Sequence, residues 1–144
     1  MGGMQKYMWL LVAMAFGWAA WNIGSSGEWV AGGLLAAAGA ALAWWLSPWR
    51  GGSTTHAEVM ALPQDQHGVV VYWRPGCVFC TRLRGALSRQ PNQPHWVNIW
   101  RDPEAAAFVR SCNSGNETVP TVVMDGEVSV NPDPDVVAAR LQGS

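Results

Sequence analysis

Between Tyr7 and Trp49 only one formally charged side chain, Glu28, occurs, and it sits between two long apolar runs. The first run spans about residues 7–23 and the second about 29–46. As helices each would extend roughly 26 Å, close to the roughly 30 Å of a bilayer's hydrocarbon core. Only Gly24-Ser25-Ser26-Gly27-Glu28 separates them, a stretch of loop formers short enough to force a tight reversal. Of ten tryptophans, Trp9, Trp18, Trp21, Trp29, Trp44, Trp45 and Trp49 fall here, most near run ends. An amphipathic indole favours the headgroup level. Small residues at spacing four, Gly32, Ala36 and Ala40, would let the two helices approach closely. Residues 1–49 are therefore expected to form a transmembrane helical hairpin in the lipid bilayer. Lys6 and Arg50 flank it, and the connecting turn holds no cation. The positive-inside rule then puts both ends, and whatever follows, in the cytoplasm, making the chain a multi-pass membrane protein.

Other arrangements compete for the same residues. A cleaved signal peptide could use Lys6 and the first run, but no clean A-x-A site follows. Two buried helices of a soluble bundle would show a polar face, and neither run has one. A single crossing with a re-entrant segment stays open.

After Trp49 charge returns at ordinary globular density. The net charge of −1, with no basic run, argues against a nucleic-acid partner, which needs a concentrated cationic face. Residues 50–66 read as a linker, flexible at Gly51-Gly52-Ser53-Thr54. Thr55 and Glu58 fit a capping box that would start a short helix from His56 to Leu62, stopped near Pro63. His56 and His67 lack metal-spaced partners and read as solvated loop residues.

From 67 to 144 strand and helix signals alternate, so this stretch is expected to be one domain. Val69-Val70-Val71-Tyr72-Trp73 is β-branched and aromatic, a buried strand. Residues 77–89 follow as a helix and 95–100 as a second strand. Asp102, Pro103 and Glu104 supply an N-cap, an N1 proline and an acidic first turn for a helix reaching about Cys112. Thr121 to Met124, the Asp125-Gly126 turn and Val128 to Val130 form a hairpin. Asp133-Pro134-Asp135 starts a last helix that runs to Gln142. The order β-α-β-α-β-β-α predicts an α/β domain with a four-stranded sheet.

Chemistry concentrates in Trp73-Arg74-Pro75-Gly76-Cys77-Val78-Phe79-Cys80. A C-x-x-C pair here stands where a buried strand gives way to a helix. The thiolate is the nucleophile, and unpaired N–H groups at a helix start favour it, as would Arg74 nearby. Cys80, one turn deeper, should be less ionised, so Cys77 attacks and Cys80 resolves. Half a zinc site is the first rival, but no second C-x-x-C exists and no metal is expected. A purely structural disulfide is the second, and it would be unusual in a reducing compartment. Thr118-Val119-Pro120 precedes a strand. A cis proline there would leave the preceding backbone N–H and C=O free to pair with an extended thiol substrate. Cys112 reads as a half-buried small apolar residue, and Trp73, Trp96 and Trp100 as core or rim aromatics.

These residues together resemble the glutaredoxin family of the thioredoxin superfamily. The likeness rests on the strand 69–73, on Cys77-Val78-Phe79-Cys80, on Asn113 to Pro120 and on the Asp125-Gly126 hairpin. Within it, the stretch Asp102 to Val109, the Asn-rich run before Thr118-Val119-Pro120, and Asn131-Pro132 resemble the mycoredoxins of actinobacteria. The resemblance covers residues 67–144 and none of the hairpin. It implies a thioredoxin-like fold with cis Pro120 and reduction of protein mixed disulfides with a low-molecular-weight thiol, which is mycothiol in mycoredoxins. Carried over by position, Cys77 takes the thiol adduct, Arg74 favours the thiolate and Phe79 lines the groove. The Val119 backbone, with Thr118 and Pro120 beside it, pairs with the cysteinyl part of the thiol. The sequence departs from many glutaredoxins in having Val-Phe between the cysteines. It also has Asn131-Pro132-Asp133-Pro134 where a Gly-Gly stretch would hold glutathione, which favours another thiol.

The expected function is a membrane-anchored thiol–disulfide oxidoreductase with no bound cofactor, mycothiol as co-substrate, and thiolated or disulfide-bonded client proteins, membrane proteins among them. Two alternatives remain: a dithiol electron donor fed by thioredoxin reductase, and a redox-sensing or partner-binding module of a membrane complex.

Overall fold

The computed structural model describes residues 7–49, 51 and 53–143. It divides into two compact units, ending and beginning at Arg50 and Gly51.

The first unit is a helical hairpin, α1 (Met8–Ser25) and α2 (Trp29–Leu46). Each helix has 18 residues and is long and apolar enough to cross a membrane. Gly27 turns the chain at φ 99°. In α1, Trp9, Val12, Phe16, Ala19 and Ile23 are half-buried, and in α2 Gly32, Gly39 and Ala43 are buried with Leu35 and Leu46 half-buried. Steps of three and four, alternating in α1 and running three, four, four, three in α2, make this a coiled-coil-like seam. The small-residue stripe therefore differs from the expected one: Gly32 is in the seam, but Ala36 and Ala40 are exposed. Steps of four drift about 40° each from the facing helix, whereas seven residues return to it within about 20°. Contact at Gly39 is close, since an added Cβ would clash with Cβ of Phe16. Outside the seam Trp18, Trp21, Trp29 and Leu34 are exposed. Lys6 and Arg50, which the orientation expectation rests on, lie outside the described residues.

The second unit holds α3 (His56–Met60), β1 (Val69–Trp73), α4 (Val78–Leu87), β2 (His95–Asn98), α5 (Pro103–Cys112), β3 (Thr121–Met124), β4 (Glu127–Val130) and α6 (Pro134–Gln142), with a 3-10 turn at Gln64–Gln66. The sheet order is β2-β1-β3-β4. β1 runs parallel to β2 and antiparallel to β3, and β3 runs antiparallel to β4. This is the thioredoxin-like β-α-β-α-β-β-α arrangement that the sequence predicts. All five β1 residues are buried because the strand is central and covered on both faces. Val70 and Tyr72 pack with Val59, Ala105, Ala106 and Val109 on one side. Val69 and Val71 pack with Leu83, Leu87, Val137 and Leu141 on the other.

From Gly51 onward the stretch read as a linker belongs to this second unit. Thr54 N–H donates to Trp96 O at 3.0 Å, and Asn98 N–H donates to the Ser53 hydroxyl at 2.8 Å. Both bonds satisfy the outer edge of β2, an edge strand that would otherwise stand open. The Thr55–Glu58 capping box forms as expected, and Val59 is fully buried. His56 is no solvated loop residue: its Nδ1 lies 2.8 Å from the Tyr72 hydroxyl, and its ring lies against Phe108. His67 is half-buried, with Nε2 2.9 Å from Leu62 O.

Candidate active site

β1 delivers the chain to the site, and Pro75 and Gly76 turn it into α4. Gly76 sits at φ 75°, where a side chain would be strained. Cys77 is the N-cap of α4, and its sulfur accepts the backbone N–H of Cys80 at 3.2 Å. Serine or aspartate usually supplies this acceptor. A sulfur in that place has a donor and the positive end of the helix aimed at it, both of which stabilise negative charge. Cys77 and Cys80 are paired as a disulfide, with Cα atoms 5.3 Å apart. Their environments differ: Cys77 is half-buried, whereas Cys80 is only 2% exposed, packed into the core. A substrate reaching the pair meets Cys77 first.

The Val119–Pro120 bond is cis, as the family resemblance implies. Val119 O lies 3.5 Å from the Cys77 sulfur. The loop carrying it is tied down on two sides. The Thr121 hydroxyl donates to Thr118 O at 2.8 Å, and Asn131 N–H donates to Pro120 O at 2.8 Å. Thr118 is exposed beside this loop, while Val119 and Pro120 are buried.

Next to the C-x-x-C turn lies a groove of about 180 Å³ lined by Phe79, Arg82, Leu83, Asn131, Pro132, Asp133 and Pro134. Phe79 is one of its walls. Arg74 is half-buried at the end of β1 and is not among the lining residues, where the cation is Arg82. Arg82 is new to the site, whereas the resemblance already sets the Asn131 to Pro134 stretch where the small thiol would be held. Spacing gave a usable signal for Arg82, which sits five residues after Cys77 on the same helix. For Asn131 the signal is the family resemblance and not local spacing, since it reaches the groove through β3–β4 pairing.

Two further readings change. Cys112 is free and exposed, not half-buried. The inward position at the end of α5 goes to Asn113, whose amide donates to Val109 O at 2.8 Å and to the Thr121 hydroxyl at 3.2 Å. Trp73 is core, and Trp96 and Trp100 lie at its rim. Trp73 and Trp96 sandwich the Arg84 guanidinium at 4.2 Å from each ring centroid, a cation–π arrangement that pins α4 against the end of β1. Burial pushes the Tyr72 hydroxyl well above the ordinary phenol range, with the nearby Asp102 charge adding to the effect.

With this geometry in view, comparison with known proteins is specific. The glutaredoxin profile matches residues 69–129. A protein of Mycobacterium tuberculosis named as a glutaredoxin is 40% identical over 74 residues, covering 51% of this chain and 88% of its own length. Mycoredoxin 1 of Corynebacterium glutamicum is 33% identical over 75 residues, covering 51% of this chain and 92% of its own length.

Proposed function

The chain belongs to the glutaredoxin family and is a thiol–disulfide oxidoreductase, and on that premise we propose that it reduces protein mixed disulfides with mycothiol while anchored in a membrane. The observation that carries the proposal is the asymmetry of the pair. An accessible Cys77 sulfur caps a helix 3.5 Å from Val119 O, with Cys80 buried behind it.

The Cys77 thiolate attacks the small-thiol sulfur of a protein mixed disulfide. A bond forms between Cys77 and that sulfur, the protein–sulfur bond breaks, and the client leaves as a thiolate that takes up a proton. A second small thiolate then attacks the adduct, yielding the oxidised small thiol and free Cys77. Alternatively Cys80 attacks Cys77, closing the internal disulfide and releasing the small thiol. Phe79 flanks the bound adduct, and the Thr118–Pro120 backbone pairs with its cysteinyl part. Arg74 contributes positive potential at the turn.

Mycothiol is favoured over glutathione on two grounds. One relative bears the name mycoredoxin. Pro132 and Pro134 also lack the N–H groups that would hold a glutathione carboxylate. For the anchor, two 18-residue apolar helices support insertion. The flanking Lys6 and Arg50 favour a cytoplasmic redox unit, and clients within reach of a membrane follow from that placement.

The test is mass spectrometry of purified Cys80→Ser protein after exposure to oxidised mycothiol or oxidised glutathione. An adduct of mycothiol mass on Cys77 is expected, together with loss of mixed-disulfide reduction in Cys77→Ser. Equal reduction by wild type and Cys77→Ser would sink the mechanism. Adducts from neither thiol would turn the reading to a reductase-fed dithiol donor.

A further inference from the structure

We infer that the sheet face turned away from α4 and α6 carries a second binding site, for a neutral aromatic molecule bearing a hydroxyl or N–H donor. Strand register builds its floor. Val70 pairs with Val123 across β1 and β3, and Val123 with Val128 across β3 and β4, so three valines form one row on one face. Tyr72, two residues on from Val70, shares that face. At the β1 end of the row Val70 is buried, whereas at the β4 end Val128 is exposed. A cavity of about 720 Å³ lies over this row, within the small-molecule range of about 300–1,000 Å³. Phe108 of α5 is one wall, and Met60, Gln64 and His67 from the segment before β1 make another. The glutaredoxin profile begins at residue 69, so this second wall lies outside the matched domain. The cavity shares no lining residue with the groove beside Cys77.

The lining sets the chemistry of the ligand. Its carboxylate and its guanidinium, Asp125 and Arg140, are ion-paired with each other. No net charge awaits a counterion, and a ligand charge buried without a partner would be costly. The Tyr72 and Phe108 rings lie 4.9 Å apart. With the Met60 thioether they offer the contacts that aromatic rings favour. The Tyr72 hydroxyl already meets His56 Nδ1, which leaves His67 and Gln64 for polar recognition. His67 Nε2 lies 2.9 Å from Leu62 O. A carbonyl only accepts, so Nε2 holds the proton and Nδ1 of the neutral ring is an acceptor. A hydroxyl or N–H on the edge of the ligand supplies the matching donor.

The experiment uses the full chain in amphipol, in mildly alkaline buffer, with isotope-labelled valine methyls followed by NMR. Reading Val70, Val123 and Val128 separates binding in the cavity from partition into the amphipol. Three probes share one ring system: 2-naphthol carries a donor, 2-methoxynaphthalene lacks it, and 2-naphthoate is charged. Saturable shifts at the three valines are expected from 2-naphthol. Without the donor hydrogen bond, 2-methoxynaphthalene should bind about fivefold more weakly, and 2-naphthoate at least about tenfold more weakly. Val128→Trp lays an indole over the open end of the row and should abolish the shifts at Val70 and Val123. His67→Gln keeps a donor where Nε2 stood and deletes the Nδ1 acceptor. It should weaken 2-naphthol about fivefold and leave 2-methoxynaphthalene unchanged. Saturable shifts from none of the probes would make the cavity a packing gap and overturn the inference. So would 2-methoxynaphthalene or 2-naphthoate binding as tightly as 2-naphthol, or 2-naphthol binding unaltered by His67→Gln or by Val128→Trp.

Discussion

Asp102 ties two helices together with one carboxylate. Its Oδ1 accepts the N–H groups of Glu104 and Ala105, each at 3.0 Å, which caps α5. Its Oδ2 accepts His56 N–H at 2.6 Å, which fastens the start of α3. An N-cap alone is worth about 1 kcal/mol, and a half-buried N–H left without a partner costs a further 1–3 or so. Asp102→Ala should therefore destabilise the second unit by about 2–4 kcal/mol, read as a lowered denaturant midpoint by circular dichroism. Asp102→Asn, which keeps one acceptor oxygen, should recover part of that; no loss in either variant would show that the three bonds are replaced by water without cost. The cap itself was legible, since Asp102-Pro103-Glu104 is a helix start by local rules. Its bond to His56 was not, because it spans 46 residues and no local pattern encodes it. The same limit explains His56, whose ring partners Tyr72 and Phe108 are both distant in sequence. Cys77 and Cys80 could be found because their chemistry is set by spacing three at a strand-to-helix junction. Asn131 was legible only through the family resemblance, since its place depends on strand register.

At the scale of the element, β1, α5, β3 and α6 fall where hydrophobic period and capping residues predict them. Ends move by a residue or two, as in β2, which stops at Asn98 where sequence suggests Trp100. The segment before β1 shows what composition hides. Gly, Ser and Thr look the same whether they form a free tether or a strap whose hydrogen bonds land on a sheet edge. The α3 capping box, by contrast, is local and was readable, and it carries a pH signature. The backbone hydrogen bond with Thr55, and then the side-chain one, hold the Glu58 carboxyl below its ordinary value of 4.5. A lowered folded pKa means that this stabilisation is present above the unfolded value and lost as pH falls through the folded one. Wild type should thus melt higher than Glu58→Ala at neutral pH, with the gap narrowing as pH drops below about 4.5. A gap independent of pH would mean that packing, not the ionised cap, sets the difference.

For the whole molecule, the decisive question is where the redox unit begins. If residues 50–66 were a tether, a chain starting at His67 would be as stable as one starting at Gly51. The contacts argue otherwise. Removing residues 51–66 exposes the β2 edge at Trp96 and Asn98. It also removes the fully buried Val59 and unloads one oxygen of Asp102. Val59 alone is worth about 1.5–3 kcal/mol of burial. For a domain this small, about 1 kcal/mol moves the melting temperature by roughly 4–8 °C. The fragment 67–144 should therefore melt at least about 10 °C below 51–144, or fail to fold, by calorimetry of the two side by side. The longer fragment should also stay in the soluble fraction and reduce mixed disulfides, while the full chain resists alkaline extraction from membranes. Equal melting temperatures would return residues 51–66 to the status of a tether. A markedly weaker 67–144 would mean that residues 51–66 fold as part of the redox unit.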